Sequence, residues 1–150
     1  MKILECSSKG CRELSAYGAY INFFGKYDCI ERLYQSVKRD KFDQQAKKGA
    51  KVVHIIIFNG SLHIRLEPRF LTPLYKLMWC CYLDSKPELV EYASQFDYFN
   101  DMFRGKSINC QADIIRQYVK DGRRSILEEP DVKELREILK IWIILVLIIL

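Results

Sequence analysis

The stretch KVVHIIIFNGSLHIRLEP, residues 51–68, limits the fold more tightly than any other part of the chain. Two strand-like runs meet at Asn59 and Gly60, which supply the positive-φ turn residues that a two-residue hairpin needs. Leu62, Ile64 and Leu66 alternate with Ser61, His63 and Arg65, the pattern of a strand with one wet face, so His63 is expected at the surface. Two shorter strands, Lys2 to Cys6 and Ala19 to Phe24 before a turn at Gly25 and Lys26, are expected to make a small sheet.

Most of the remaining pattern is helical. Asp28 and Glu31 stand at capping-box spacing ahead of Ile30, Leu33, Tyr34 and Val37, whose spacing predicts a helix. The Lys-, Asp- and Gln-rich stretch from Lys38 to Lys51 reads as a solvated helix end and loop. Thr72 and Pro73 mark the start of an apolar core helix to Leu83, and Pro87 starts a shorter one. FDYFNDMFRGKSIN then interrupts the pattern before a helix from Asn109 to Lys120 that stops near Gly122. Pro130 begins a last helix, with Asp131 and Glu134 again at capping-box spacing. The fold class is therefore mainly α, of the α+β kind: a helical domain with a small antiparallel sheet and hairpin. Residues 1–128 form the main domain and 129–150 a C-terminal helix and apolar tail.

The chain is 150 residues long, the size of one domain, and its 49% hydrophobic and 29% charged content exclude a disordered or fibrous protein. A net charge of +5 is compatible with a polyanionic ligand without demanding one. The six cysteines form no CxxC pair or Cys/His zinc pattern, and the N-terminus has no secretory apolar region, so free thiols and a cytoplasmic location are expected. His54 and His63 fall on strands, and no metal site is expected. After Lys140 comes IWIILVLIIL. A helix of that length covers about 15 Å, half of the roughly 30 Å hydrocarbon core, so no stable membrane span is expected. Three readings of this tail stand: a docked core segment, a disordered or read-through tail, and a membrane-surface or truncated anchor.

Two blocks carry a resemblance. FFGKYDCIERLYQSVKR is similar to a segment of the NADAR family in which a Gly-Lys turn leads into a helix, with Glu31, Tyr34, Gln35 and Lys38 at the matching spacing. FDYFNDMFRGKSINCQADIIRQYV resembles the same family's closing stretch, with Asp97, Asp101, Gly105, Lys106, Asn109 and Ala112 on the pattern. KSINCQA looks nearest to the antitoxin branch that accompanies DNA ADP-ribosyltransferases, and ECSSKG resembles the opening of small phage relatives. The family's Ser-Glu-His is Ile30, Glu31 and Arg32 here, and its Trp-Gly after the acidic loop residue is absent.

The resemblance implies an N-glycosidase, an enzyme that cleaves a ribose N-glycosidic bond in ADP-ribosylated guanine or a related nucleoside, without cofactor. Breaking such a bond builds oxocarbenium character on the ribose, which a nearby carboxylate stabilises while a second acid assists the departing base. Glu31 and Asp101 are the expected pair, with Asp97 as the alternate. On a continuous helix Lys38 lies two turns beyond Glu31, about 10 Å along one face, where an amine of lowered pKa can attack the anomeric carbon. Arg39 and Arg32 are candidate cationic neighbours. Lys106 with Arg104 and the helix entry at Asn109 suit a phosphate, and Tyr34, Phe96 and Phe99 suit a stacked base. Gln35 completes the matched set. Plainer roles compete: Glu31 as part of a cap, Lys38 and Arg39 as a wet helix face, Asn109 as a cap, the aromatics as core. The rival function is a non-catalytic protein that sequesters ADP-ribose or a related nucleotide. A third is a small membrane-surface protein dominated by its tail.

Overall fold

A computed structural model describes residues 1–101 and 111–149, with side chains through residue 145. The first strand, β1 (Ile3–Glu5), does not join the second. It pairs in parallel with a strand far along the chain, placing Ile3 opposite Tyr98 and Glu5 opposite Asn100. The second, β2 (Tyr20–Phe23), folds back instead on β3 (Lys26–Cys29) around Phe24 and Gly25, both at positive φ. The small sheet expected from the first two strands is thus replaced by two separate pairs. The reason is that a tight turn lets β2 satisfy its amides with the segment directly after it.

Helix α1 (Ile30–Ser36) forms where the apolar spacing predicts, but not through its capping box. The Ile30 and Glu31 amides donate to the carbonyls of Ala19 and Ala16, at 2.9 and 3.0 Å, so the helix entrance is satisfied by backbone from the preceding loop. Asp28 bonds the Cys29 amide and the Arg32 guanidinium. The helix stops before Lys38, which with Arg39 forms the short strand β4 (Lys38–Arg39) rather than a helix end or loop. This strand edges the hairpin of β5 (His54–Asn59) and β6 (Leu62–Leu66), giving an antiparallel sheet in the order β4-β5-β6. Asn59 pairs with Leu62, so the turn residues are Gly60 and Ser61. Gly60 alone has positive φ, at 64°, in place of the expected Asn59–Gly60 pair. The wet face is as expected, with Ser61, His63 and Arg65 exposed.

A 3₁₀ turn at Pro68–Phe70 leads into α2 (Leu71–Asp84), two residues ahead of the expected start, so Thr72 and Pro73 lie inside its first turn. Leu74, Tyr75, Met78, Trp79, Tyr82 and Leu83 of α2 are buried, making it the central helix that α1 and the later helices pack against. After α3 (Pro87–Ala93) comes β7 (Tyr98–Asn100), the partner of β1. Then α4 (Gln111–Arg116) runs into a π-turn, Gln117–Asp121, which Gly122 ends at φ 95°. Helices α5 (Arg123–Leu127) and α6 (Pro130–Ile149) complete the chain. Asp131 is the second residue of α6, not its cap. It and Glu134 both accept hydrogen bonds from Arg69, tying α6 to the turn before α2. Helices and small sheets together make a mixed α+β fold. Among the described residues, no helix is long and apolar enough to cross a membrane.

Candidate functional site

Where the parallel pair ends, the chain delivers polar groups into the interior. Asn100 lies opposite Glu5, and the Cys6 amide donates to the Asn100 carbonyl at 2.7 Å, so Asp101 emerges beside the loop that begins at Cys6. That loop carries Ser7, Ser8 and Lys9. From the other side come the carbonyl-capped start of α1 with Glu31, then Gln35, and then Lys38 on β4. These residues, together with Ser15, Tyr17, Tyr75, Gln111 and residues 45–50, line one cleft of about 960 Å³. That is near the upper end of the usual range for small-molecule sites, roughly 300–1,000 Å³.

The cleft is also where the protein keeps its buried polarity. Ser7, Ser15, Asp101 and Gln111 are the buried polar side chains among the described residues, and all four line it. Ser15 is held by its own loop, its hydroxyl donating to the Arg12 carbonyl and accepting from the Gly18 amide. Gln111 donates from Nε2 to the Cys6 carbonyl at 3.0 Å, pinning the N-terminal loop to α4. Burying a polar group is costly unless it is bonded, and the gathering of these groups at one hollow gives the cleft a polar lining.

Glu31 Oε1 accepts a hydrogen bond from Gln35 Nε2 at 3.0 Å, one turn along α1. Since the capping role has gone to backbone carbonyls, Oε2 has no hydrogen-bond partner among the described residues. Lys38 is half-buried, with Nζ 4.3 Å from the centre of the Tyr34 ring. Burial pushes its pKa below the usual lysine value, while the charge of Glu31 works in the opposite direction. No nearby cation is responsible: Arg32 is turned to Asp28 and the Tyr20 hydroxyl, and Arg39 bonds the Ser36 and Lys38 carbonyls. The Tyr17 phenol is raised, mainly by desolvation and next by Glu31.

Of the residues the sequence singled out, Glu31, Gln35, Lys38 and Asp101 meet in the cleft. Asp101 arrives by strand pairing, not by packing of the first helix on the last. Glu31 and Lys38 are no longer two turns apart on one helix, because the helix breaks between them. Tyr34 is core and does not line the cleft itself, but packs on two residues that do, Tyr75 at 4.7 Å and Lys38. Asp97 is exposed, accepts from the Lys2 amide and does not line the cleft. Arg39 lines a neighbouring depression with Asp43 and Arg65. Phe99 sits on β7 near Lys120, and Phe96 packs on Tyr92, so neither reaches the cleft. Arg104, Lys106, Asn109 and Cys110 lie outside the described residues. Sequence reasoning missed Ser7, Ser15, Tyr17, Tyr75, Gln111 and the Lys47–Ala50 turn. The one available signal was hydroxyl residues, Ser7 and Ser15, standing next to buried apolar positions. No group of His, Cys, Asp and Glu suited to a metal occurs among the described residues. No known family model matches the chain, and no curated protein matches it.

Proposed function

We propose that the protein is an N-glycosidase that cleaves a ribose N-glycosidic bond, with ADP-ribosylated guanine as the leading substrate class and a related nucleoside as the next, in line with the NADAR resemblance. The observation that carries this reading is that Glu31, Lys38 and Asp101, from three separate segments, line one cleft of about 960 Å³.

In the reaction the C1′–N bond breaks, a C1′–O bond to water forms, water gives up a proton and the departing nitrogen gains one. Glu31, held in place by Gln35 at one oxygen, uses the other to stabilise the positive charge on the ribose and to take water's proton. Asp101, buried across the cleft lining, relays a proton to the leaving nitrogen. The half-buried Lys38 supports a covalent variant of the same cleavage. Its neutral amine displaces the base at C1′ while the departing nitrogen gains a proton, the C1′–O4′ bond opens to a Schiff base as O4′ takes up the second amine proton, and water adds at C1′ to release the sugar and restore the amine.

The test is incubation of the purified chain with ADP-ribosylated guanosine and with ribosylaminopyrimidine phosphates, following free base by chromatography. Wild type is expected to turn over at least one, and Glu31→Ala to lose about 100-fold or more. Borohydride trapping of a sugar adduct on Lys38 identifies the covalent variant. Turnover that survives Glu31→Ala, or tight binding of both compounds with no turnover, refutes the enzymatic assignment; the latter favours sequestration of the nucleotide.

A further inference from the structure

Helix α6 changes character at Lys140. Before it, Val132 and Leu135 are buried and charged residues recur on the outer face; after it, every residue to 150 is apolar. Apolar residues facing water are ordinary one at a time, but here they are contiguous. Ile141, Ile143, Ile144 and Leu145 are 58, 40, 50 and 50% exposed. Only Trp142 in this turn is covered, by the Phe24 ring with centroids 5.2 Å apart.

The angular spread of these residues decides what can cover them. At about 100° per residue, Ile143, Ile144, Ile141 and Leu145 sweep an arc of roughly 200° around the helix, with Trp142 on the remaining side. A packed protein element typically covers a stripe of the order of 100°, so one partner helix or a second copy leaves much of this arc wet. A lipid phase wraps the whole arc. The setting of the segment has the same character. Lys140 ends the polar part of the helix, and Lys26, two residues beyond Phe24 in the β2–β3 turn, is exposed. Tyr27 and Tyr20 of that hairpin are 70 and 39% exposed with rings 5.5 Å apart. Exposed Tyr and Lys around an apolar helix end are groups that settle at the boundary between headgroups and acyl chains.

We propose that the apolar end of α6 and the β2–β3 turn form a membrane-surface docking site, with the helix end inserted into the headgroup–acyl boundary of an anionic bilayer. This does not depend on the glycosidase reading, because no residue of the surface lines the cleft.

The test is flotation of the full chain with vesicles of phosphatidylcholine, alone and with phosphatidylserine. Wild type is expected to float with the vesicles, more strongly with phosphatidylserine at low salt. Ile141→Asn/Ile144→Asn, at two exposed positions, is expected to reduce the bound fraction about tenfold or more while circular dichroism stays unchanged. Vesicles with brominated acyl chains should quench Trp142, whereas the fully buried Trp79 supplies a constant background. The proposal is overturned if wild type stays out of the lipid fraction. A concentration-dependent dimer in sedimentation, abolished by the same double substitution, then identifies a second copy as the occupant. A double variant that floats as well as wild type overturns it equally.

Discussion

The cleft and the C-terminal half of α6 break the same rule in opposite senses. At the cleft, Ser7, Ser15, Asp101 and Gln111 are withdrawn from water; on α6, four successive large apolar side chains other than Trp142 are left in it. Elsewhere among the described residues Leu33, Ile55, Leu74 and Leu135 lie inside, and exposed apolar side chains such as Ile3, Phe42 and Phe58 are scattered rather than contiguous. Each departure opposes stability, so each points to a demand other than folding. The polar interior suits the ligand proposed for the cleft, and the apolar exterior the lipid phase proposed for α6.

The contrast can be broken from either side, and the largest effect is expected at the cleft. Asp101→Asn keeps the shape of the side chain and removes its acid–base capacity, so kcat is expected to fall about 100-fold or more with KM little changed. Equal loss in KM alone would make Asp101 a binding group only. On α6, Trp142→Ala is expected to destabilise by about 2–4 kcal/mol, because it empties the contact with Phe24. Ile144→Ala, at an exposed position of the same turn, is expected to change stability by no more than about 0.5 kcal/mol. Denaturant melts of the two variants check this; comparable losses would mean that Ile144 is also buried.

Gly18 sharpens the comparison at the cleft wall. A Cβ there would stand 2.1 Å from the Arg12 carbonyl oxygen, inside the loop that holds Ser15, so Gly18→Ala is expected to cost about 1–3 kcal/mol and to reduce activity with it. Full stability in that variant would show that the loop can shift without consequence.

The smallest effect concerns the arm over the cleft. Residues 45–50 line the site, and just before them Asp43, at φ 60°, receives two hydrogen bonds from Arg65 and lies 2.7 Å from the His54 ring nitrogen. These partners, Arg65 first, hold the Asp43 carboxyl down to about 2. A carboxylate depressed in the folded state stabilises above its unfolded value near 4, and that contribution is lost as pH falls from about 4 through about 2. Asn accepts the same backbone conformation without charge. Wild type should therefore melt slightly higher than Asp43→Asn at pH 6, and the gap should close near pH 2. A gap that persists in acid would assign the effect to shape and not to charge.

The local parts of this molecule were legible, and the parts that needed distant segments were not. The β5–β6 hairpin follows from period-two alternation around a Gly, and α3 and α6 from prolines at their first positions. The turn itself slipped by one residue because Gly60 suffices at its first central position. The Asp28–Glu31 capping box was overridden by two carbonyls from Ala16 and Ala19, groups that every residue carries and no pattern reveals. Lys38 and Arg39 read as helix because their edge pairing with Ile55 and His54 depends on a segment 17 and 15 residues on. Glu31, Gln35, Lys38 and Asp101 were found through the resemblance of two sequence blocks to a known family, whereas Gln111 became visible only once β1 and β7 were side by side.

That pairing also governs the order of events during synthesis. Residues about 95 apart must meet before Asp101 can face Glu31, and closing so large a loop is slow compared with forming α2 or the β5–β6 hairpin. A ribosome-bound chain therefore carries its central helix and hairpin early but has no competent hollow until β7 has left the exit tunnel. The activity proposed for this protein would switch on only after β7 has emerged and met β1.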